Sequence, residues 1–414
     1  MNVDVRRRLR WIAAAVIAAV AAALAIAAFV RGTPDPARGS AAETLGVSPF
    51  ELLAASVEED FPQPPPRWPF ELTADHGAHD AYRTEWWYLS GTLSGDDVPT
   101  LGMQWLLMRI ALRAEPGTSI EARAEPTSID ADARADAEPA SAWSTSQIYA
   151  GLFSISEPTG DGLRTNGKLG RGAVGIAGAA APPVRVWLKS WRLAELEANS
   201  EQSGDAPGFS LHLDAEGLEL DLVLRDAKPP ITARDVAGGA QAAPFQFYTL
   251  PRLDARGTLV ADGRRLDVDG ALSLEHAWGE LPLPGGPVGT DRFSLYLSDG
   301  SELILVRTHR ERAGGERTAS TTGLIIDPQG TAVALADDDV TLEPIDHWTS
   351  PRTGTRYPIR WSLRVPGRGI QMTLTPIDPD QEGETWLPFW AGPVRIDGTA
   401  AGTGFVQLNG YAER

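Results

Sequence analysis

Apolar and polar residues alternate with a period of two through most of the chain. In "IRWSLRV", Ile359, Trp361, Leu363 and Val365 alternate with Arg360, Ser362 and Arg364, which predicts a strand with one apolar and one cationic face. "LELDLVL" and "IQMTLTPI" repeat the pattern. Glycine-centred turns part these runs in "ARGTLVADGRRL", "LSDGSEL", "DPQGTA" and "VPGRGIQ". Short alternating strands joined by tight turns predict an all-β body of antiparallel sheets that close into barrels or pack as sandwiches. No long amphipathic helix is legible in that body.

Three stretches depart from the rhythm. From Trp11 to Val30 the residues are almost all Ala, Val, Ile or Leu, without a charge, and about 20 such residues are what a helix needs to cross a bilayer. Arg6, Arg7, Arg8 and Arg10 precede it and Arg31 follows, an asymmetry that keeps the N-terminus cytoplasmic and exports the rest. An uncleaved anchor over residues 1–31 is expected, with a signal peptide cleaved near Ala23-Leu24-Ala25 as the alternative. Residues 32–60 read as a flexible linker, which "FPQPPPRWPF" stiffens just before the body. The Ala, Asp, Glu and Pro tract at about 113–142 is too polar to build a core and reads as an exposed insertion.

At 414 residues the chain exceeds what one core usually supports, so two domains are expected. A faint repeat suggests where they divide. "TEWWYLSG" leads to an apolar strand ending Met108-Arg109, and "TDRFSLYLSDG" leads to one ending Val306-Arg307. An acid-His pair precedes each, Asp75-His76 and Glu275-His276. This fits a duplicated barrel, with a first domain over residues 61–239 and a second over residues 240–414.

Composition removes several chemistries. The net charge of -18 argues against nucleic acid, whose binding needs basic surface to displace counterions. There is no cysteine, hence no disulfide, thiolate metal site or thiol nucleophile. The run Gly170-Arg171-Gly172-Ala173-Val174-Gly175 has neither the preceding buried strand nor the following helix of a dinucleotide loop. No Gly-x-Ser-x-Gly elbow occurs. His76-x-x-His79, flanked by Asp75 and Asp80, lies in a loop and reads as structural rather than metal-binding. No cofactor and no metal are expected.

Two stretches carry candidate chemistry. In "LSLEHAWG", Leu272, Leu274, His276 and Trp278 share one strand face, and Glu275 and Ala277 the other. In "YRTEWWYLSGTLSG", Glu85 shares a face with Trp87, Leu89 and Leu93, where a carboxylate is costly unless paired. Arg83, Arg109 or a histidine are the expected partners, with rings packed on both sides of the strand. Glu275, His276 and Glu85 are the candidate catalytic groups. Trp86, Trp87, Tyr88, Gln104, Arg109, Tyr248, Trp278, Trp390 and Gln407 are the candidate ligand-binding set.

"DHGAHDAYRTEWWYLSGTL" resembles the N-terminal signature of the two-domain lipocalin-like family that includes the AttH proteins and the carotenoid hydratases (CrtC). "GIAGA", "WLKSW", "FYTLPRL", "HAWG", "DRFSLYLSDGSELILVR", "WTSPRTGTRYPIRW" and "GFVQLNGY" extend the likeness from Phe61 to Arg414, apart from the insertion. It implies two consecutive lipocalin-like antiparallel β-barrels with a cleft or cavity for an apolar molecule. The hydratase branch adds water across an isoprenoid double bond, which needs a general acid and aromatic faces for the resulting cation. The departures run one way. The family's Asp-His-Glu-Trp is Glu275-His276-Ala277-Trp278, its Trp-Glu-Gly is Trp390-Ala391-Gly392, and its terminal Glu is Gln407. A family His is matched by Leu152, and the hydratase aspartate has no counterpart in the strand Glu302-Leu303-Ile304-Leu305-Val306-Arg307.

The expectation is therefore a membrane-anchored extracytoplasmic protein that binds a lipid or isoprenoid-like ligand, in association with an ABC transporter permease. If the signal is cleaved, the protein is secreted. The alternatives are a hydratase or isomerase of a polyene, with Glu275 or Glu85 as proton donor and His276 as orienting base, and a purely structural scaffold.

Overall fold

The computed structural model describes residues 61–412, apart from 97, 114–144, 158, 160–161, 197–206, 238–244, 280–287, 312–316 and 386–387. The expected anchor, the linker and all of the insertion but Arg113 lie outside the described residues. Among the described residues, no helix is long and apolar enough to cross a membrane.

The chain is all-β. Its first strands are β1 (Thr84–Gly95), β2 (Val98–Ala111), β3 (Gln147–Ser156), β4 (Leu163–Arg171), β5 (Ala177–Ala180), β6 (Arg185–Leu188), β7 (Trp191–Glu195), β8 (Gly208–Ala215), β9 (Leu218–Asp226), β10 (Ile231–Thr232), β11 (Phe245–Ala261) and β12 (Arg264–Gly279). The rest are β13 (Val288–Leu297), β14 (Glu302–Glu311), β15 (Arg317–Ile326), β16 (Ala332–Leu335), β17 (Thr341–Thr349), β18 (Arg356–Val365), β19 (Ile370–Pro376), β20 (Glu382–Glu384), β21 (Pro388–Gly398) and β22 (Gly402–Asn409). Two short helices, α1 (Leu72–Asp75) and α2 (Ala233–Ala237), accompany them.

The strands form a 12-stranded sheet, ordered β4-β3-β2-β1-β12-β11-β9-β8-β7-β6-β5, and a 10-stranded sheet, ordered β16-β15-β14-β13-β22-β21-β19-β18-β17. Each sheet pairs its first strand with its last, and β10 lies off the path on β11 as β20 does on β21. The faint repeat of the sequence is thus a repeat of topology. Both sheets are barrel-like, one nearly closed and the other a half-barrel, which corrects the expectation of two full barrels. The expected division near Ala240 is also corrected. β11 and β12 complete the first sheet, so the sheets part between Gly279 and Val288.

Local chemistry explains the hairpin that closes the first sheet. Asp262 and Gly263, at φ 50 and 80, form the two-residue turn between β11 and β12, and positive φ at both positions matches the twist of the flanking strands. Strand parity then fills the interiors. Leu218, Leu220, Leu222 and Leu224 of β9 point into the first core, and Ile359, Trp361, Leu363 and Val365 of β18 into the second. Trp87, Trp105, Trp191 and Trp278, none more than 1% exposed, belong to the first core. Among the described residues these side chains form one continuous apolar cluster.

A third apolar cluster lies between the sheets. Trp86, Tyr88, Leu106, Met108, Leu152 and Ala277 on the outer face of the first sheet meet Phe389, Ala391 and Phe405 of the second.

Candidate functional site

Strand parity divides the singled-out residues between three places. The inward face of β1 and its neighbours carries Glu85, Trp87, Arg109, Tyr248, His276 and Trp278 into the end of the first barrel. The outward face carries Trp86, Tyr88, Gln104 and Glu275 into the seam between the sheets, where Gln407 meets them. Trp390 points into the second core. Rings do pack on both sides of β1, as expected. The catalytic trio is not one group, however, because Glu275 faces away from Glu85 and His276.

At the barrel end Glu85 is fully buried and fully bonded. Its carboxylate accepts from Arg109 Nε at 2.8 Å, from the His79 backbone N–H at 2.9 Å and from His79 Nδ1 at 2.7 Å. His276 Nε2 lies 2.8 Å from its Oε1. Arg109 stands directly opposite Glu85 in the β1–β2 register and also donates to the backbone oxygens of His79 and Tyr82. Of the expected partners, Arg109 and two histidines hold the acid and Arg83 does not. His79 stacks on Trp278 at 3.8 Å and His276 on Trp87 at 4.5 Å.

Burial opposes charge on Glu85, but Arg109, His79 and the bond to His276 outweigh it and hold the carboxyl well below the usual range. Burial also opposes charge on His79, yet Glu85 and Asp75 raise its pKa. His76, beside Tyr248, is pushed down to about 4 by burial and by His276. Removing one partner from such a buried pair costs about 3–5 kcal/mol. Glu85 is therefore an ionised anchor at neutral pH, not a proton donor.

The seam has different chemistry. Tyr88 OH lies 3.1 Å from both Gln104 Oε1 and Gln407 Oε1. One hydroxyl proton cannot serve two carbonyls, so one amide turns its N–H2 to the tyrosine. One end of the buried Gln104 amide has no hydrogen-bond partner among the described residues. Glu275 accepts from Arg292 Nη2 at 2.6 Å and Trp86 Nε1 at 3.4 Å, and the same guanidinium lies 4.7 Å over the Tyr88 ring. Burial pushes the Tyr88 phenol up to about 12, so it stays protonated.

The second sheet carries a counterpart of the barrel-end pair. Asp291 stands opposite Arg307 as Glu85 stands opposite Arg109. Arg307 Nη1 donates to Asp291 at 2.8 Å, and Tyr411 OH donates to the same oxygen at 2.9 Å. The sequence echo ending in Arg109 and Arg307 contained this equivalence. It gave no sign that His79 pairs with His276 rather than with His76, because parity assigns a face and says nothing of a neighbour far along the chain.

The AttH-like family model matches residues 63–411. A provisionally assigned AttH protein of Nitrosomonas europaea has a similar structure, with 23% identity, a TM-score of 0.66 and coverage of 84% of this chain and 99% of its own. Kievitone hydratase of Nectria haematococca is similar at 14% identity and a TM-score of 0.53, over 85% of this chain and 94% of that one. At these identities the likeness concerns the fold. No curated protein sequence matches the chain. A family match over nearly the whole described body, on a doubled lipocalin-like sheet, establishes that this chain belongs to the AttH-like family.

Proposed function

We propose that the chain binds an apolar small molecule of the lipid or isoprenoid class at the seam between its sheets, as a membrane-tethered extracytoplasmic protein. One observation carries the reading. The positions where the sequence replaces the family's ionisable residues by Leu152, Ala277, Ala391 and Gln407 converge on this seam. There they adjoin Trp86, Phe389 and Phe405. Aromatic faces with a few convergent polar groups suit an apolar ligand carrying one hydroxyl or carbonyl, which the spare end of the Gln104 amide would meet. The tether rests on the uncharged run from Trp11 to Val30, and an ABC transporter as recipient of the ligand rests on the resemblance alone.

Hydration is the weaker reading. Glu85 is held ionised and is therefore a poor proton donor, and both Glu275 oxygens are already engaged by Arg292 and Trp86. Native mass spectrometry of the full-length protein, purified from membranes in mild detergent, tests binding. A co-purifying lipid is expected, and Ala277→Leu, which adds bulk to the seam, should release it without altering the circular dichroism. The reading fails if no lipid accompanies the protein and no isoprenoid or fatty-acyl compound raises its melting temperature. It fails equally if Ala277→Leu retains the ligand in full.

A further inference from the structure

The barrel-end cluster offers a second site, independent of the seam. We propose that His79 Nδ1, Glu85 Oε1 and His276 Nε2 bind one divalent transition-metal ion of the zinc class, which pins the loop after α1 to β1 and β12. The three ligand atoms lie within 4.8 Å of one another. Glu85 Oε1 is 2.7 Å from one ring nitrogen and 2.8 Å from the other. Around a tetrahedral ion with bonds of about 2.0–2.2 Å, ligand atoms sit roughly 3–3.5 Å apart. Each ring would withdraw from Oε1 by roughly 0.2–0.8 Å, with the two ring nitrogens drawn to the same spacing.

The outer contacts already suit metal ligation. A ligating imidazole presents one bare nitrogen and holds its other N–H on a partner. His79 Nε2 lies 3.2 Å from Asp75 Oδ1, a carboxylate-histidine pair of the kind that orients metal ligands. His276 Nδ1 lies 3.3 Å from Tyr248 OH, whose own hydrogen can pass to His76 Nδ1. In that arrangement both metal-facing nitrogens are bare and every outer N–H has an acceptor. Glu85 Oε2 meanwhile keeps Arg109 Nε and the His79 backbone N–H. Stacking on Trp278 and Trp87 fixes both rings.

Charge points the same way. Asp75, Asp80 and Glu85 bring three negative charges to the neighbourhood of Arg109's single positive one, with Asp80 3.9 Å from its Nη1. With both histidines neutral, a divalent ion would offset the remainder, in place of a proton on His79. Asp75, Glu85 and His276 are all fully buried, so the ion would be a structural cross-link between segments distant in sequence.

The test uses full-length protein purified without chelators. Elemental analysis should give about one zinc per chain. Cobalt substitution should give the visible bands of tetrahedral nitrogen and oxygen ligation, and chelation should lower the melting temperature. Asp75→Asn, which removes the carboxylate behind His79 without touching a ligand atom, should weaken zinc binding about 10- to 100-fold. Glu85→Gln should abolish it, and His212→Ala, in the exposed cluster with Glu219 and Asp221, should leave it intact. The proposal is overturned if wild-type protein holds no divalent metal and neither zinc nor cobalt changes its melting temperature or spectrum. It is also overturned if Glu85→Gln binds as wild type does, or if His212→Ala loses the ion. Should Glu85→Gln not fold, the comparison of wild type with His212→Ala decides.

Discussion

Asp226 ends the inward row Leu218, Leu220, Leu222 and Leu224 on β9, with a carboxyl where a fifth leucine would fit. Burial pushes its pKa up from 3.8 to about 6, and its Oδ1 has no hydrogen-bond partner among the described residues. A folded-state pKa above the unfolded one means that the fold prefers the protonated acid. The stabilisation is complete below about pH 4 and is lost as pH rises through about 6. Asp226→Asn should therefore raise the melting temperature at pH 8, and the gain should vanish at pH 4. A gain independent of pH would refute the account. At this scale the sequence was informative about faces: parity alone placed Glu85 with Trp87, and His276 with Trp278. It was silent about partners. His79 and His276 meet through a carboxylate only because β1 and β12 adjoin, and no local signal in either segment encodes that.

The same limit operates on whole elements. β9, β18 and β19 were legible from their alternation, as was the Asp262-Gly263 turn from its dipeptide. The assignment of β11 and β12 to the first sheet was not, because "AGGAQAAP" at residues 237–244 has the composition of a linker and a strand's own sequence does not name its neighbour. The register makes the point testable. β12 pairs with β1 from Thr84↔Gly279 to Ser94↔Asp269, and β11 pairs with both β12 and β9. A fragment of residues 61–239 lacks the centre of its sheet and should be insoluble or unfolded by circular dichroism. Residues 61–279 should fold with a cooperative thermal transition. A cooperatively folded 61–239 would restore the boundary that the internal repeat suggests.

For the molecule as a whole, the two sheets are held among the described residues by the apolar seam, by the Arg292–Glu275 pair and by a second buried ionic clasp. Glu302 of β14 is bonded to Lys228 Nζ and lies 3.3 Å from Arg252 Nη1, both from the first unit, and Lys228 also donates to the backbone oxygens of Gly300 and Asp327. Removing Glu302 strands the buried Lys228 ammonium at a cost of about 3–5 kcal/mol. Glu302→Ala should split the calorimetric unfolding into two transitions, one per sheet. A single unshifted transition would show that the seam with its Arg292–Glu275 pair suffices without the clasp. The pairing of first strand with last has a different outcome during synthesis. Thr84 and Gly279 are 195 residues apart. At roughly 5–20 residues per second, β1 emerges about 10–40 s before its neighbour β12 exists. Throughout that interval its bare edge, with Trp86 and Tyr88 uncovered, needs a chaperone or an unfolded export route to keep it from joining strands of other nascent chains.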